Sequence, residues 1–136
     1  MRSDLLEVIK ETLLNLADDL RSVRDEKIIQ GILKSQLSLK DINLDERVIL
    51  RSEEFPEMEI DLLGDDFAIE LKVNPRFYDG VGQVLAIREL YGIETILVQI
   101  WRELKAPVRR ALERIALRAN FHVVLLDLRS RSVVVI

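Results

Sequence analysis

The segment "ETILVQIW", Glu94 to Trp101, is apolar over almost the whole length of a strand. Such a run is the mark of a strand buried on both faces, which a sheet achieves only when helices cover both of its sides. The neighbouring patterns supply helices. Before it, "FYDGVGQVLAIRELYG" carries Val81, Val84, Leu85 and Leu90 at helical spacing and closes on Gly92. After it, "APVRRALERIALRAN" has Pro107 near its first turn and a stripe of Val108, Leu112, Ile115 and Ala116.

The rest of the chain extends this alternation. Leu5, Leu6, Ile9, Leu13, Leu16, Ala17 and Leu20 define an opening amphipathic helix, with Ser3 or Asp4 as N-cap. Ile28, Ile29, Ile32, Leu33 and Leu37 mark a second helix, separate from or continuous with the first. "RVILRSE" reads as a strand, and the pair Glu57 to Leu63 and Phe67 to Val73 as a hairpin. "FHVVLLDL" and "SVVVI", joined by "RSR", form a second hairpin. The expected order is ααβββαβαββ, an α/β fold with a mixed central sheet flanked by helices. At 136 residues, one domain spanning 1–136 is expected.

Composition narrows the chemistry. The chain has no cysteine and one histidine, which excludes disulfides and thiolate chemistry and argues against a Cys/His zinc site. The N-terminus is interrupted by acids and no run approaches about 20 apolar residues, so a cytoplasmic protein without a membrane span is expected. The net charge of −4 hides a division: residues 1–68 carry 9 basic and 17 acidic side chains, residues 69–136 carry 11 and 7. The second half is therefore the one able to present a basic face.

The first hairpin, "MEIDLLGDDFAIELKV", is the segment whose charges call for explanation. A period of two puts Phe67, Ile69, Leu71 and Val73 on one face and Ala68, Glu70 and Lys72 on the other; Met58, Ile60 and Leu62 oppose Glu59, Asp61 and Leu63. A turn at Asp65–Asp66 pairs Asp61 with Glu70 and Glu59 with Lys72; a turn at Gly64–Asp65 pairs Glu59 with Glu70. Facing carboxylates repel unless something positive lies between them, and a hard divalent cation such as Mg²⁺ meets that need. The competing reading is a solvated sheet face with a Glu59–Lys72 ion pair.

"EID" followed by "IELK", preceded by a helix and a strand and followed by a helix containing "GVGQ", resembles the PD-(D/E)XK nuclease superfamily over residues 47–101. The resemblance implies a restriction-endonuclease-like core and a Mg²⁺-dependent nuclease, with Mn²⁺ able to substitute, that hydrolyses phosphodiester bonds in DNA without an organic cofactor; the loop-poor chain offers no sequence-reading module, so structure-selective or partner-directed cutting is expected. It implies that Asp61, Glu70 and the Leu71 carbonyl hold the metal and that Lys72 orients or activates water. Gln83 matches the glutamine many members carry on the next helix, near the attacking water. The tyrosine many members place four residues later is Ile87 here. Glu7 or Glu59 is the candidate for a third carboxylate. Gly80 and Gly82, costly in a helix, suggest close approach of backbone or substrate.

Arg109, Arg110, Arg114 and Arg118 form a helix stripe able to meet a phosphate backbone. Trp101 and His122 read as structural residues. The apolar C-terminal "VVVI" would be an exposed edge, so a homodimer is expected. The alternative function is an inactive nuclease-like fold serving as an oligomerising, partner-binding or nucleic-acid-binding module.

Overall fold

The computed structural model describes residues 3–136. Helix α1, Ser3–Leu20, buries its Leu/Ile stripe, and α2, Glu26–Ser38, follows as a separate helix. The break has a local cause: the Asp25 side chain accepts the Lys27 N–H at 2.9 Å and starts α2 afresh as its N-cap. Strands β1 (Asp45–Leu50), β2 (Met58–Leu63) and β3 (Phe67–Val73) form an antiparallel meander. Helix α3, Val81–Tyr91, crosses to β4, Glu94–Trp101; α4, Ala106–Ala119, crosses to β5, His122–Asp127; and β6, Ser132–Val135, returns beside β5. The fold is thus α/β, with four helices on a six-stranded mixed sheet of order β1-β2-β3-β4-β5-β6 and parallel pairing at β3–β4–β5.

Both faces of the central strands are covered, as the apolar run in β4 requires. Under α1 and α2 lie Ile69, Leu71, Ile96, Val98, Ile100, Val124 and Leu126; under α3 and α4 lie Leu97, Val123 and Leu125, packed against Val84, Leu112 and Ala116. Each such side chain contributes about 1.5–3 kcal/mol by leaving water. Helix α1 lies against β5 and β6, whereas α2 lies against β2 and β3. Among the described residues no helix is long and apolar enough to cross a membrane.

Alternation breaks at one point. The sequence pattern puts Met58, Ile60 and Leu62 on one face, but Ile60 packs with Ala68 and Ile87 while Leu62 joins the α1–α2 core. Between them is Asp61. The β1–β2 ladder pairs Glu46 with Leu62 and Val48 with Ile60, yet skips Arg47 and Asp61, and Arg47 sits at a left-handed φ of 51°. A non-glycine residue there bends the strand, and the side chains on the two sides of the bend face different layers.

Candidate functional site

The hairpin register is set by Leu62↔Ile69 and Leu63↔Ala68, which places Asp65 and Asp66 in the turn, closed by the Gly64 N–H on the Phe67 carbonyl at 2.8 Å. The same register sets Asp61 opposite Glu70. Main-chain pairing, however, stops at Leu62 and Ile69, and the two strands part.

Carboxylates occupy the edge of β3 that β2 leaves. The Leu71 N–H donates to Asp61 Oδ2 at 2.8 Å, the Asp61 N–H to Glu70 Oε1 at 3.3 Å, and the Val73 N–H to Glu26 Oε1 at 3.1 Å. Gln30, one turn further along α2, donates through Nε2 to the Asp61 carbonyl at 3.1 Å and to Glu46 Oε2 at 3.3 Å. A residue's N–H and C=O leave a strand on the same edge, so the Leu71 carbonyl also faces this fork.

The fork is electrostatically loaded. Glu70 is only 1 % exposed, because Ile87 of α3 and its neighbours cover that side of the sheet. The reading of a solvated face is therefore corrected. Burial first, and then the charge and hydrogen bonding of the Asp61 carboxyl, push Glu70 up to about 8; the Asp61 N–H and the Lys72 ammonium offset this in part. Burial likewise holds Glu26 above the ordinary carboxylate range, against the opposing pull of the Val73 N–H and Lys72. Lys72 is half-buried beside β4, in register with Gln99, and within electrostatic reach of Glu26 and Glu70.

Helix α3 starts on top of Lys72. Gly80 caps it at φ 91°, and a Cβ there would lie 2.6 Å from Leu97 Cδ1 and 3.4 Å from Lys72 Cγ. Gly80 thus meets the expectation of close approach, and Gly82 does not, since a Cβ at Gly82 would have nothing within 4 Å. Gln83, half-buried, stands in the first turn of α3, next to Gly80. Gln99 is fully buried; its Nε2 donates to the Phe77 and Asp79 carbonyls at 3.1 and 3.2 Å, while its Oε1 accepts from Trp101 Nε1 at 3.1 Å. It anchors the loop that leads into α3.

Asp61, Glu70 and Lys72 are therefore brought together, with Gln83 at the adjoining helix start. The third carboxylate at the fork is Glu26, not Glu7 or Glu59. Glu7 is exposed on α1, which lies over β5 and β6, and Glu59 is exposed beyond the point where β2 and β3 part, paired with Ile49 of β1. No sequence signal separates Glu26 from an ordinary acid in a helix's first turn, where carboxylates favour the dipole; Gln99, polar within the apolar run of β4, is a signal the sequence does carry. Arg110, Arg114 and Arg118 line an open groove on the outer side of α4 with Pro107 and Leu117, and Arg109 pairs with Glu113 at 2.8 Å. His122 holds the Ile136 carbonyl at 3.1 Å through Nδ1, a structural contact.

No family model, curated protein or solved structure matches this chain. Among the described residues, no group of three His, Cys, Asp or Glu side chains is assembled as a ready metal cage. The donor chemistry nevertheless fits a hard cation: Asp61 and Glu70 are adjacent, mutually repelling carboxylates, with a main-chain carbonyl facing the same gap, and a divalent ion would relieve the burial of Glu70 that a proton now relieves.

Proposed function

We propose that this chain is a divalent-metal-dependent nuclease of the PD-(D/E)XK type with a restriction-endonuclease-like core, hydrolysing phosphodiester bonds in DNA. The observation that carries the reading is the fork itself: Asp61 and Glu70 opposed where two strands part, with Lys72 one residue beyond the Leu71 carbonyl. Asp61, Glu70 and the Leu71 carbonyl would hold Mg²⁺ or Mn²⁺, with Glu26 as supporting carboxylate. When bound, the ion supplies Lewis-acid polarisation of the phosphate and a more acidic water.

The protein's own groups do the remainder. Lys72 offers a positive charge to the phosphate oxygens as negative charge builds in the transition state. Gln83, in the first turn of the helix whose Gly80 cap lies against the lysine, would orient water. The Arg110, Arg114 and Arg118 stripe would follow the phosphate backbone, two strands away from β3. A homodimer through the β6 edge would suit cleavage of two strands.

A second reading, a non-catalytic nucleic-acid-binding or oligomerising module of the same architecture, draws on two observations. Asp61 and Glu70 each already accept a main-chain N–H, and the position four residues after Gln83 is the buried Ile87. Incubation of wild type, Asp61→Ala and Lys72→Ala with linear, nicked and four-way-junction DNA in Mg²⁺ or Mn²⁺ separates the two. Cleavage by wild type alone supports the nuclease; cleavage that persists in both variants, or that wild type never shows, sinks it.

A further inference from the structure

The loop between β3 and α3 displays aromatic rings on a rigid mount. Phe77 is 36 % and Tyr78 50 % exposed, their rings meeting edge to face with centroids 5.2 Å apart, and the Arg76 guanidinium lies 5.2 Å from the Tyr78 centroid. Large apolar rings in a loop ordinarily turn inward, and exposed aromatic clusters mark contact surfaces. The loop is internally hydrogen-bonded. The Arg76 N–H and Nε donate to the two Asp79 carboxylate oxygens at 2.9 and 3.2 Å, the Asp79 N–H returns to the Arg76 carbonyl at 3.0 Å, and the buried Gln99 amide grips the backbone from below. The clamp thus holds the backbone that carries the exposed rings.

We propose that the Arg76–Asp79 loop is a stacking platform for unpaired nucleobases, which makes the substrate class single-stranded or splayed nucleic acid. The proposal rests on the phosphodiester reading of the neighbouring fork and names what that site would act on. Two features select this occupant. The platform adjoins the fork, because Gly80, the residue after the loop, lies against Lys72, so a strand stacked on Tyr78 is held beside the lysine's end of the site. The charge nearby suits an anion: Arg76, which lies over the ring, is ion-paired with Asp79, but the exposed Arg102 is tied to the loop's base through its N–H on Asn74 Oδ1 at 2.8 Å. In an intact duplex the base faces are already stacked on one another, so only an unpaired base offers a free face to the rings.

The test is fluorescence anisotropy in EDTA, which prevents cleavage, with labelled oligothymidine and a blunt duplex of equal length. Wild type is compared with Tyr78→Ala, Phe77→Ala/Tyr78→Ala and the ring-preserving Tyr78→Phe. Loss of a stacked base weakens binding by about 5- to 150-fold, so oligothymidine affinity should fall about tenfold in Tyr78→Ala and further in the double variant, with Tyr78→Phe close to wild type and duplex affinity unchanged. Tyr78→Leu, which keeps apolar bulk, gives the same tenfold loss if alanine disturbs folding. Equal losses on both DNAs, wild-type oligothymidine binding by the ring-deleted variants, or no oligothymidine binding by wild type each overturns the platform. A platform that passes while no DNA is ever cut removes the nuclease reading and leaves the platform standing; cleavage with an insensitive platform does the reverse.

Discussion

The two edges of β3 are treated in opposite ways. Toward β4 it pairs through seven consecutive residues, Phe67 with Glu94 to Val73 with Ile100; toward β2 it pairs at Ile69 and Ala68 and then stops. On the first edge the main chain satisfies itself and the side chains are free to be apolar. On the second, the N–H groups of Leu71 and Val73 are met by the carboxylates of Asp61 and Glu26, because a buried N–H without a partner costs about 1–3 kcal/mol. The lesson is that the polar site is made where strand pairing is interrupted, and that its charged groups also serve the fold.

This contrast can be broken from either side. The largest effect is expected at the apolar core beneath both edges: Leu71→Ala, at a fully buried position, should lower stability by about 2–5 kcal/mol, read by denaturant unfolding. Next comes Gly80→Ala, where a left-handed φ and the 2.6 Å approach to Leu97 should cost about 1–3 kcal/mol and displace Lys72. Its neighbour Gly82→Ala, in open space on the same helix, should instead stabilise by about 0.5–1 kcal/mol.

The fork has its own signature in pH. Glu70 holds its proton more tightly folded, up to about 8, than unfolded, near the ordinary carboxylate value of 4.5. Between those values the folded state binds more protons than the unfolded, so the contribution of Glu70 to stability without metal should fall as pH rises, by at most about 1.4 kcal/mol per pH unit, and be absent above pH 8. Thermal melts of Glu70→Gln in EDTA should show a flatter profile over the same window. A profile as steep as wild type would mean that another group carries the linkage.

The order of all ten elements was legible, because hydrophobic periodicity marks each of them and glycine, proline and polar turns separate them. The pairing register was legible only as two alternatives, a turn at Asp65–Asp66 or at Gly64–Asp65, and the Leu62↔Ile69 pairing selects the first. The division of Ile60 from Leu62 was not, since it depends on the left-handed Arg47 in the neighbouring strand. Glu26 escaped for a related reason: it reaches Val73 only once α2 has packed across β3, and no local pattern joins residues 47 positions apart. Lys72 and Glu70 were found because a charged pair in an apolar strand is conspicuous; Gln99 is equally conspicuous within "ETILVQIW", and its role as the loop's anchor emerges only from the fold.

The most direct test of the fork is calorimetric titration of Mn²⁺ into wild type and Asp61→Asn near pH 7, in two buffers of different ionisation heat. The account predicts binding to wild type with proton release, as the cation takes the place of the proton on Glu70, and loss of both in Asp61→Asn. Binding of equal strength in the variant, or binding to wild type without proton release, would contradict it.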